Sequence, residues 1–159
     1  MSSEDPLAGF CRLIAGIDIA MMTSAAPDGS LHSRPLARKT LSTDGTMWFL
    51  VHRGADWVPP VGQDVPVNLG FVDDGRWISA SGIATSTDDP SRIAALTDDR
   101  SESDFRGSAT DLVALRVNVS RVDYWSSAGT LVSWFETARA AITGERPERG
   151  EHGTIETDP

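Results

Sequence analysis

The stretch Val65–Ala84 reads VPVNLGFVDDGRWISASGIA and predicts a β-hairpin. Val65–Val72 is one predicted strand, Arg76–Thr87 is the next, and the Asp73–Gly75 segment between them is typical of a tight turn. One face of the second strand carries three small residues in succession, Ala80, Gly82 and Ala84, which allow another backbone or a flat ligand to come close. The centre of the chain is therefore expected to be β-sheet.

Further strands flank this hairpin on both sides. The apolar patterns between turn signals predict four of them, at Ile17–Ala25, Leu31–Leu41, Thr46–His52 and Leu112–Trp125. Apolar residues occupy both faces of Thr46–His52, so this strand is expected to be covered on both sides. In the last strand, the alternation of inward-facing apolar residues shifts by one position, which predicts a β-bulge near Ser120 and Arg121. Helices are predicted over Pro6–Ala15, from Asp88–Pro90 to Leu96, and over Leu131–Ile142.

Six strands in a meander, with helices at the ends and in one crossover, predict a mainly β fold with flanking helices. The expected architecture is a small closed or half-open β-barrel, because closure removes exposed strand edges. Residues 1–143 are assigned to this one domain, and residues 144–159 to an acidic tail that is extended or disordered. Side chains fill so small a barrel, so a ligand is expected outside it, at a subunit interface.

Composition excludes several classes of function. The 159 residues carry a formal net charge of -9, which argues against binding nucleic acid. No apolar run reaches the roughly 20 residues that span a bilayer, and the N-terminus lacks the pattern of a secretory signal. A cytoplasmic protein without membrane contact is therefore expected. The single cysteine, Cys11, excludes an internal disulfide and a cysteine-built metal site, and no metal is predicted.

The segment His32–Lys39, HSRPLARK, is the most informative about a site. Arginine offers a planar fork of donors that suits phosphate or carboxylate, and Lys39 is the only lysine of the chain. Arg34, Leu36 and Arg38 face one side of the strand. Pro35 cannot donate in a ladder, so it marks an edge or a bulge where the backbone can meet a ligand. The alternative for these basic residues is a set of surface salt bridges.

Four segments in this order resemble a known family: DGSLHSRPLA, DGTMWFLVHR, VPVNLGFVDDGRWISASGIA and LVALRVNVSRVDYWSS. They are similar to the general stress protein 26 group of the pyridoxamine 5′-phosphate oxidase-like, FMN-binding split-barrel proteins. The resemblance extends over about residues 10–144. It implies a six-stranded split β-barrel, a homodimer, and FMN bound as a small-molecule ligand in two equivalent grooves at the dimer interface.

The resemblance also implies which residues contact the cofactor. The strand from Arg34 through Pro35 and Leu36 to Lys39 matches the flavin-binding strand of the family. Leu50 and Val51 match the end of the next strand, and Trp77 matches a position beside the flavin ring. Trp125 matches an aromatic residue that approaches the site from near the C-terminal end.

Two departures from the family concern the phosphate. Val51 stands where the family often has a hydroxyl, and Trp57 stands where it has the lysine that holds the phosphate. Two charge-assisted hydrogen bonds are then lost, which weakens FMN binding by about a hundredfold or more. Arg53, Arg34 or Lys39 can compensate, whereas Asp56 repels an anion.

Three functions follow as alternatives. The first is an FMN-binding protein of the stress-protein type, acting as a flavin-dependent oxidoreductase. The second is a split-barrel dimer that has lost FMN, with Trp57 filling the former phosphate pocket, and that acts as a binding or structural protein. The third uses the deazaflavin F420, as relatives of the same fold do. No catalytic residue is assigned, because neither His32 nor His52 has clustered partners and the serines lack a His–Asp pattern.

Overall fold

The structure is a computed structural model that describes residues 6–97, 111–126 and 151–156. The elements in these ranges are α1 Pro6–Ile14, β1 Ile19–Ala25, β2 Leu31–Leu41, β3 Thr46–His52, β4 Asp64–Asp73, β5 Arg76–Thr87, α2 Pro90–Leu96, β6 Leu112–Ser126 and β7 Glu151–Glu156. The predicted helix over Leu131–Ile142 lies outside the described residues. All six predicted strands are confirmed.

The first strand begins later than the sequence pattern suggests. Ile17 was predicted to start β1, but its N–H donates to the carbonyl oxygen of Ile14 at 2.9 Å, which adds a helix-like turn after α1. The strand therefore begins at Ile19, and α1 ends at Ile14 rather than at Ala15. Ile17 stays in the apolar core and is buried, so its side chain follows the stripe of the helix.

The six predicted strands close into a barrel. Neighbouring strands pair antiparallel in the order β3-β2-β1-β4-β5-β6, and β3 also pairs with β6 from Thr46 opposite Asn118 to His52 opposite Leu112. Apolar side chains fill the interior, and the largest that are fully buried are Phe10, Phe49, Phe71, Ile14, Met22, Met47 and Leu69. The prediction of a six-stranded split barrel with a packed interior is confirmed.

The turn between β4 and β5, at Asp73–Gly75, has the tight backbone geometry that its sequence predicts. Asp74 and Gly75 both have positive φ, at 38° and 77°. Two central residues with positive φ make the turn that matches the twist of a two-residue hairpin. The strands on either side pair from Asp64 opposite Thr85 to Asp73 opposite Arg76.

Helix α2 covers the outside of β3, as the two-sided apolar pattern predicted. Met47, Phe49 and Val51 enter the main core, whereas Leu50 joins a second buried cluster with Ile93 of α2. Asp89 caps α2 by accepting a hydrogen bond from the N–H of Ser91 at 3.0 Å. Strand β3 is therefore buried on both faces.

Strands β2 and β3 separate at one end of the barrel. They pair from Leu41 opposite Met47 to Arg38 opposite Phe49, with a register shift between Arg38 and Thr40. Residues 31–37 of β2 pair only with β1, so their other edge has no strand partner among the described residues. We call this opening the β2–β3 split. The prediction that Pro35 marks a strand edge is confirmed.

The predicted bulge in β6 lies at Ser120. Ser81 of β5 is opposite Arg121 and the next residue, Gly82, is opposite Val119, so Ser120 is the extra residue. Gly82 is buried, and a Cβ placed on it would overlap the carbonyl oxygen of Asn118. Of the two explanations for the small residues of β5, close approach of another backbone is therefore the one observed at Gly82.

A seventh strand lies outside the barrel, within the segment assigned to the acidic tail. Strand β7 pairs antiparallel with the last part of β6, from Glu156 opposite Arg121 to Glu151 opposite Ser126. Arg121 forms an ion pair with Glu156 at 2.6 Å, and Gly153 leaves room for the ring of Tyr124. The sequence pattern did not predict this strand, and the domain limits at residues 143 and 144 stay a prediction.

We expect Gly82→Ala to lower the free energy of unfolding by about 1–3 kcal/mol, because the added methyl group forces β5 away from the bulge in β6. Urea unfolding followed by circular dichroism measures the change. Gly16→Ala is the matched control, since a Cβ at Gly16 meets nothing within 4 Å. An equal loss of unfolding free energy in the two variants would show that the close approach of the β6 backbone does not exclude a side chain at residue 82.

Candidate functional site

Four of the predicted site residues meet at the β2–β3 split. Arg34 and Leu36 share the inward face of β2, and Val51 lies at the end of β3. Trp57 comes from the loop that follows β3. Leu36 and Trp57 are partly buried and pack against the core cluster that contains Val51. The split is thus lined by one guanidinium and a set of apolar side chains.

The guanidinium of Arg34 is half-buried between two side chains. Its Nη1 donates to Oγ of Ser24 at 2.9 Å, and its Cζ lies 4.4 Å from the centre of the Trp57 ring. This distance is that of a cation–π contact. Burial lowers the pKa of Arg34, and the carboxylate of Asp56 acts in the opposite direction. The guanidinium stays charged in spite of its burial.

Arg34 differs in its ionic partners from four other arginines of the barrel. Each of the four pairs with at least one carboxylate: Arg38 with Asp18, Arg53 with Asp88, Arg76 with Asp73, and Arg121 with both Asp123 and Glu156. No carboxylate of the described residues lies within 4.0 Å of the Arg34 guanidinium. A half-buried guanidinium without a carboxylate partner is a natural partner for an anion supplied by a ligand.

The loop that carries Trp57 is attached to the barrel at both ends. At its start the N–H of Arg53 donates to the carbonyl oxygen of Asp111 at 2.7 Å. Near its end the buried hydroxyl of Ser86 donates to the carbonyl oxygen of Pro59 at 2.8 Å, and the N–H of Gly62 donates to Ser86 at 3.0 Å. These contacts hold the loop across the split, so the place of the indole is set by β5 and β6.

Sequence reasoning missed Ser86. Its position has the same phase as Ala80 and Ala84 on β5, which are fully buried, so a polar residue in that row was the available signal. Ser86 is 2% exposed and is the one buried polar residue among those that the structure describes. Its role is to position the loop rather than to contact a ligand.

The remaining residues assigned from β2, β3 and the loop are distributed around the split. Leu50 points away from it into the cluster under α2, and Val51 is buried in the main core. Arg53 is half-exposed and pairs with Asp88 at 3.4 Å. Lys39 lies at the register shift of β2, five residues from Arg34.

Three other predicted residues lie on the outer surface of the barrel. Pro35 is exposed opposite Met21, while Trp77 and Trp125 are direct cross-strand neighbours on β5 and β6. The two tryptophans are 45% and 42% exposed. They are continuous through the strand register with other exposed apolar side chains, and we call this set the outer apolar band: Ile19, Met21, Val72, Trp77 and Trp125. One chain therefore does not bring these tryptophans to Arg34.

His32 does not create a second site. Nε2 of His32 lies 2.9 Å from Oγ of Ser30, and this hydroxyl donates to the carboxylate of Asp28 at 2.5 Å. Because the hydroxyl proton goes to Asp28, His32 does not act as a base on Ser30. Among the described ranges, no group of three His, Cys, Asp or Glu side chains is placed to hold a metal ion.

The model of the family described as pyridoxamine 5′-phosphate oxidase like matches residues 5–148, most of the chain. The chain belongs to the pyridoxamine 5′-phosphate oxidase-like family. A comparison with curated proteins gives no match. In the part of this family member that the structure describes, no helix is long and apolar enough to cross a membrane.

Solved structures share the split-barrel fold at low sequence identity. A Clostridium acetobutylicum protein related to general stress protein 26 of B. subtilis has a TM-score of 0.69 and 16% identity, over 94% of this chain and 93% of that chain. A general stress FMN/FAD binding protein from Xanthomonas citri has a TM-score of 0.64 and 22% identity, over 77% of this chain and 89% of that chain. A heme binding protein from Mycobacterium smegmatis has a TM-score of 0.56 and 11% identity, over 78% of this chain and 55% of that chain. At these identities the likeness shows the fold.

We expect Ser86→Ala to lower the free energy of unfolding by about 1–3 kcal/mol, because it leaves the buried carbonyl oxygen of Pro59 without a donor. Chemical unfolding measures the loss, and faster amide hydrogen exchange at Arg53 and Gly62 locates it. Ser33→Ala is the matched control, because the Ser33 hydroxyl is exposed and water replaces it, with a change within about 0.5 kcal/mol. Unchanged exchange in the Ser86 variant would contradict the positioning role.

Proposed function

We propose that this family member is a homodimer that binds a flavin, with FMN as the reference cofactor, at the β2–β3 split. The observation that carries the proposal is Arg34, a half-buried guanidinium with no carboxylate partner among the described residues. An acidic chain that keeps one such cation next to an open strand edge has a place for an anionic, planar ligand. The FMN/FAD binding relative from Xanthomonas citri supports a flavin.

The open edge of β2 suits the ring of a flavin. Residues 31–37 leave backbone N–H and C=O groups without a strand partner on the side of the split. Such groups form hydrogen bonds with a ligand as readily as with another strand. Pro35 interrupts the row of donors, and this prevents a further strand from pairing along the whole edge. The ring is proposed to lie beside Pro35 and Leu36.

The outer apolar band supports a dimer. Val72, Trp77 and Trp125 follow one another across three strands, and Met21 lies next to them through Gly70. Exposed apolar surface of this kind marks protein–protein contact. If two copies meet through this band, the tryptophans of one copy approach the β2 strand of the other. This brings together the predicted site residues that a single chain keeps apart.

A bound flavin would supply redox chemistry, and the protein would bind and orient it. The finer proposal is therefore a flavin-dependent oxidoreductase. No acid or base of the described residues is placed at Arg34 except Asp56, which is exposed. Proton transfer is then left to the solvent or to the substrate.

The contact between Trp57 and Arg34 favours a second candidate. The indole occupies one face of the guanidinium and takes the place of the lysine that holds the phosphate in the family. A split closed in this way belongs to a barrel that has lost the cofactor and acts as a binding or structural protein. The two candidates differ in whether a flavin enters.

The first test is the affinity for FMN. The purified protein is expected to be yellow, with absorbance at about 450 nm. Arg34→Gln is expected to weaken binding about tenfold, because the ligand loses its charged partner. Arg53→Gln is the control, because Arg53 already pairs with Asp88 and is expected to change the affinity less. A colourless protein that takes up no FMN supports the second candidate. A protein that takes up no FMN but quenches the fluorescence of added F420 uses the deazaflavin as its cofactor.

The dimer is tested separately by sedimentation. The wild-type protein is expected to have twice the chain mass of 17.1 kDa. Trp77→Glu is expected to yield a monomer, because a charge in the outer apolar band is costly to bury. Leu31→Glu is the control, since Leu31 is 73% exposed on the β1–β2 hairpin, outside the band. A Trp77→Glu protein that stays dimeric would place the contact on another surface.

A further inference from the structure

We propose that Arg34 and Trp57 set the charge of the ligand: the split accepts a planar ligand whose group at Arg34 carries at most one negative charge, and it disfavours a phosphate monoester dianion. This inference rests on the proposed flavin function and specifies the ligand further. It predicts that riboflavin, which has the same ring and ribityl chain as FMN but no phosphate, binds at least as well as FMN.

The argument begins with the charges at the split. Arg34 supplies one positive charge, and Asp56 is close enough to act on it electrostatically. Arg53 is paired with Asp88, and Arg38 donates to the carbonyl oxygens of the α1 C-terminus. Asp56 therefore offsets part of the single positive charge of Arg34 before a ligand arrives. A phosphate monoester carries about two negative charges at neutral pH.

Hydrogen-bond donors are limited in the same way. One Nη atom of Arg34 already donates to Ser24, and the indole covers one face of the guanidinium. Val51 is buried and has no hydroxyl, and Leu50 points away from the split. Partial burial of a dianion requires several charged or N–H donors. The side-chain donors described at the split suit a neutral group or a single negative charge.

Displacing Trp57 from the split would break its packing contacts. It packs against the core cluster as well as against Arg34. Its loop is attached at Arg53 on one side and at Pro59 and Gly62 on the other. The residue fixed beside Arg34 is thus a neutral aromatic ring and not a second cation. The indole also favours a flat ligand next to it, because aromatic rings stack.

The experiment compares riboflavin and FMN as a matched pair in fluorescence titrations of the full-length protein. The wild-type protein is expected to bind FMN no more tightly than riboflavin. Trp57→Lys is expected to raise the affinity for FMN about tenfold or more and to leave that for riboflavin within about threefold. Asp56→Asn is expected to raise the affinity for FMN about two- to threefold, with riboflavin unchanged.

Trp57→Phe is the control, because it keeps a neutral ring and is expected to give no selective gain for FMN. A thermal melt of each variant confirms that it is folded. Tighter binding of FMN than of riboflavin by the wild-type protein, beyond the error of the titrations, would overturn the inference while leaving the flavin function in place. Binding of neither flavin by the wild type or any variant would overturn the flavin function and the inference with it.

Discussion

The antiparallel pairing of β3 with β6 is the interaction on which the rest of this structure depends. It joins Thr46–His52 to the first half of β6 and so turns an open meander into a barrel. Closure buries Phe49 and Val51 on the inside, while α2 covers Leu50 on the outside. Strand β2 pairs with β3 only from Leu41 to Arg38, so residues 31–37 of β2 are left with one open edge.

The candidate site is a consequence of this separation. The opening between β2 and β3 leaves Arg34 half-buried without a carboxylate, and the loop after β3 crosses it with Trp57. The loop is held by Ser86, a residue that no ligand needs to touch. The charge available to a ligand is thus set by residues of β1, β2 and the loop together. Solved structures with this fold include a protein described as FMN/FAD binding and one described as heme binding, and what a shared fold binds depends on its site.

Much of the fold was predictable because its signals are local. The phase change after Val119 located the bulge at Ser120, and Pro35 marked the strand edge, since proline has no N–H to donate. The site was only partly predictable. Resemblance selected Trp57 as the residue in place of a lysine, but its stacking on Arg34 depends on a loop held from β5. Strand β7 was missed because the apolar pattern in its segment is weak.

The sequence by itself determined the six strands of the barrel, their turns, the packed interior and the residues that carry charge in β2. These depend on side-chain periodicity and on the backbone preferences of glycine and proline, which act over a few residues. Only the tertiary structure decided that Arg34 has no carboxylate partner, whereas Arg38 and Arg53 have one. The partners of Arg38 and Arg53, which are Asp18 and Asp88, come from distant parts of the chain, so these ion pairs exist only after the barrel has folded.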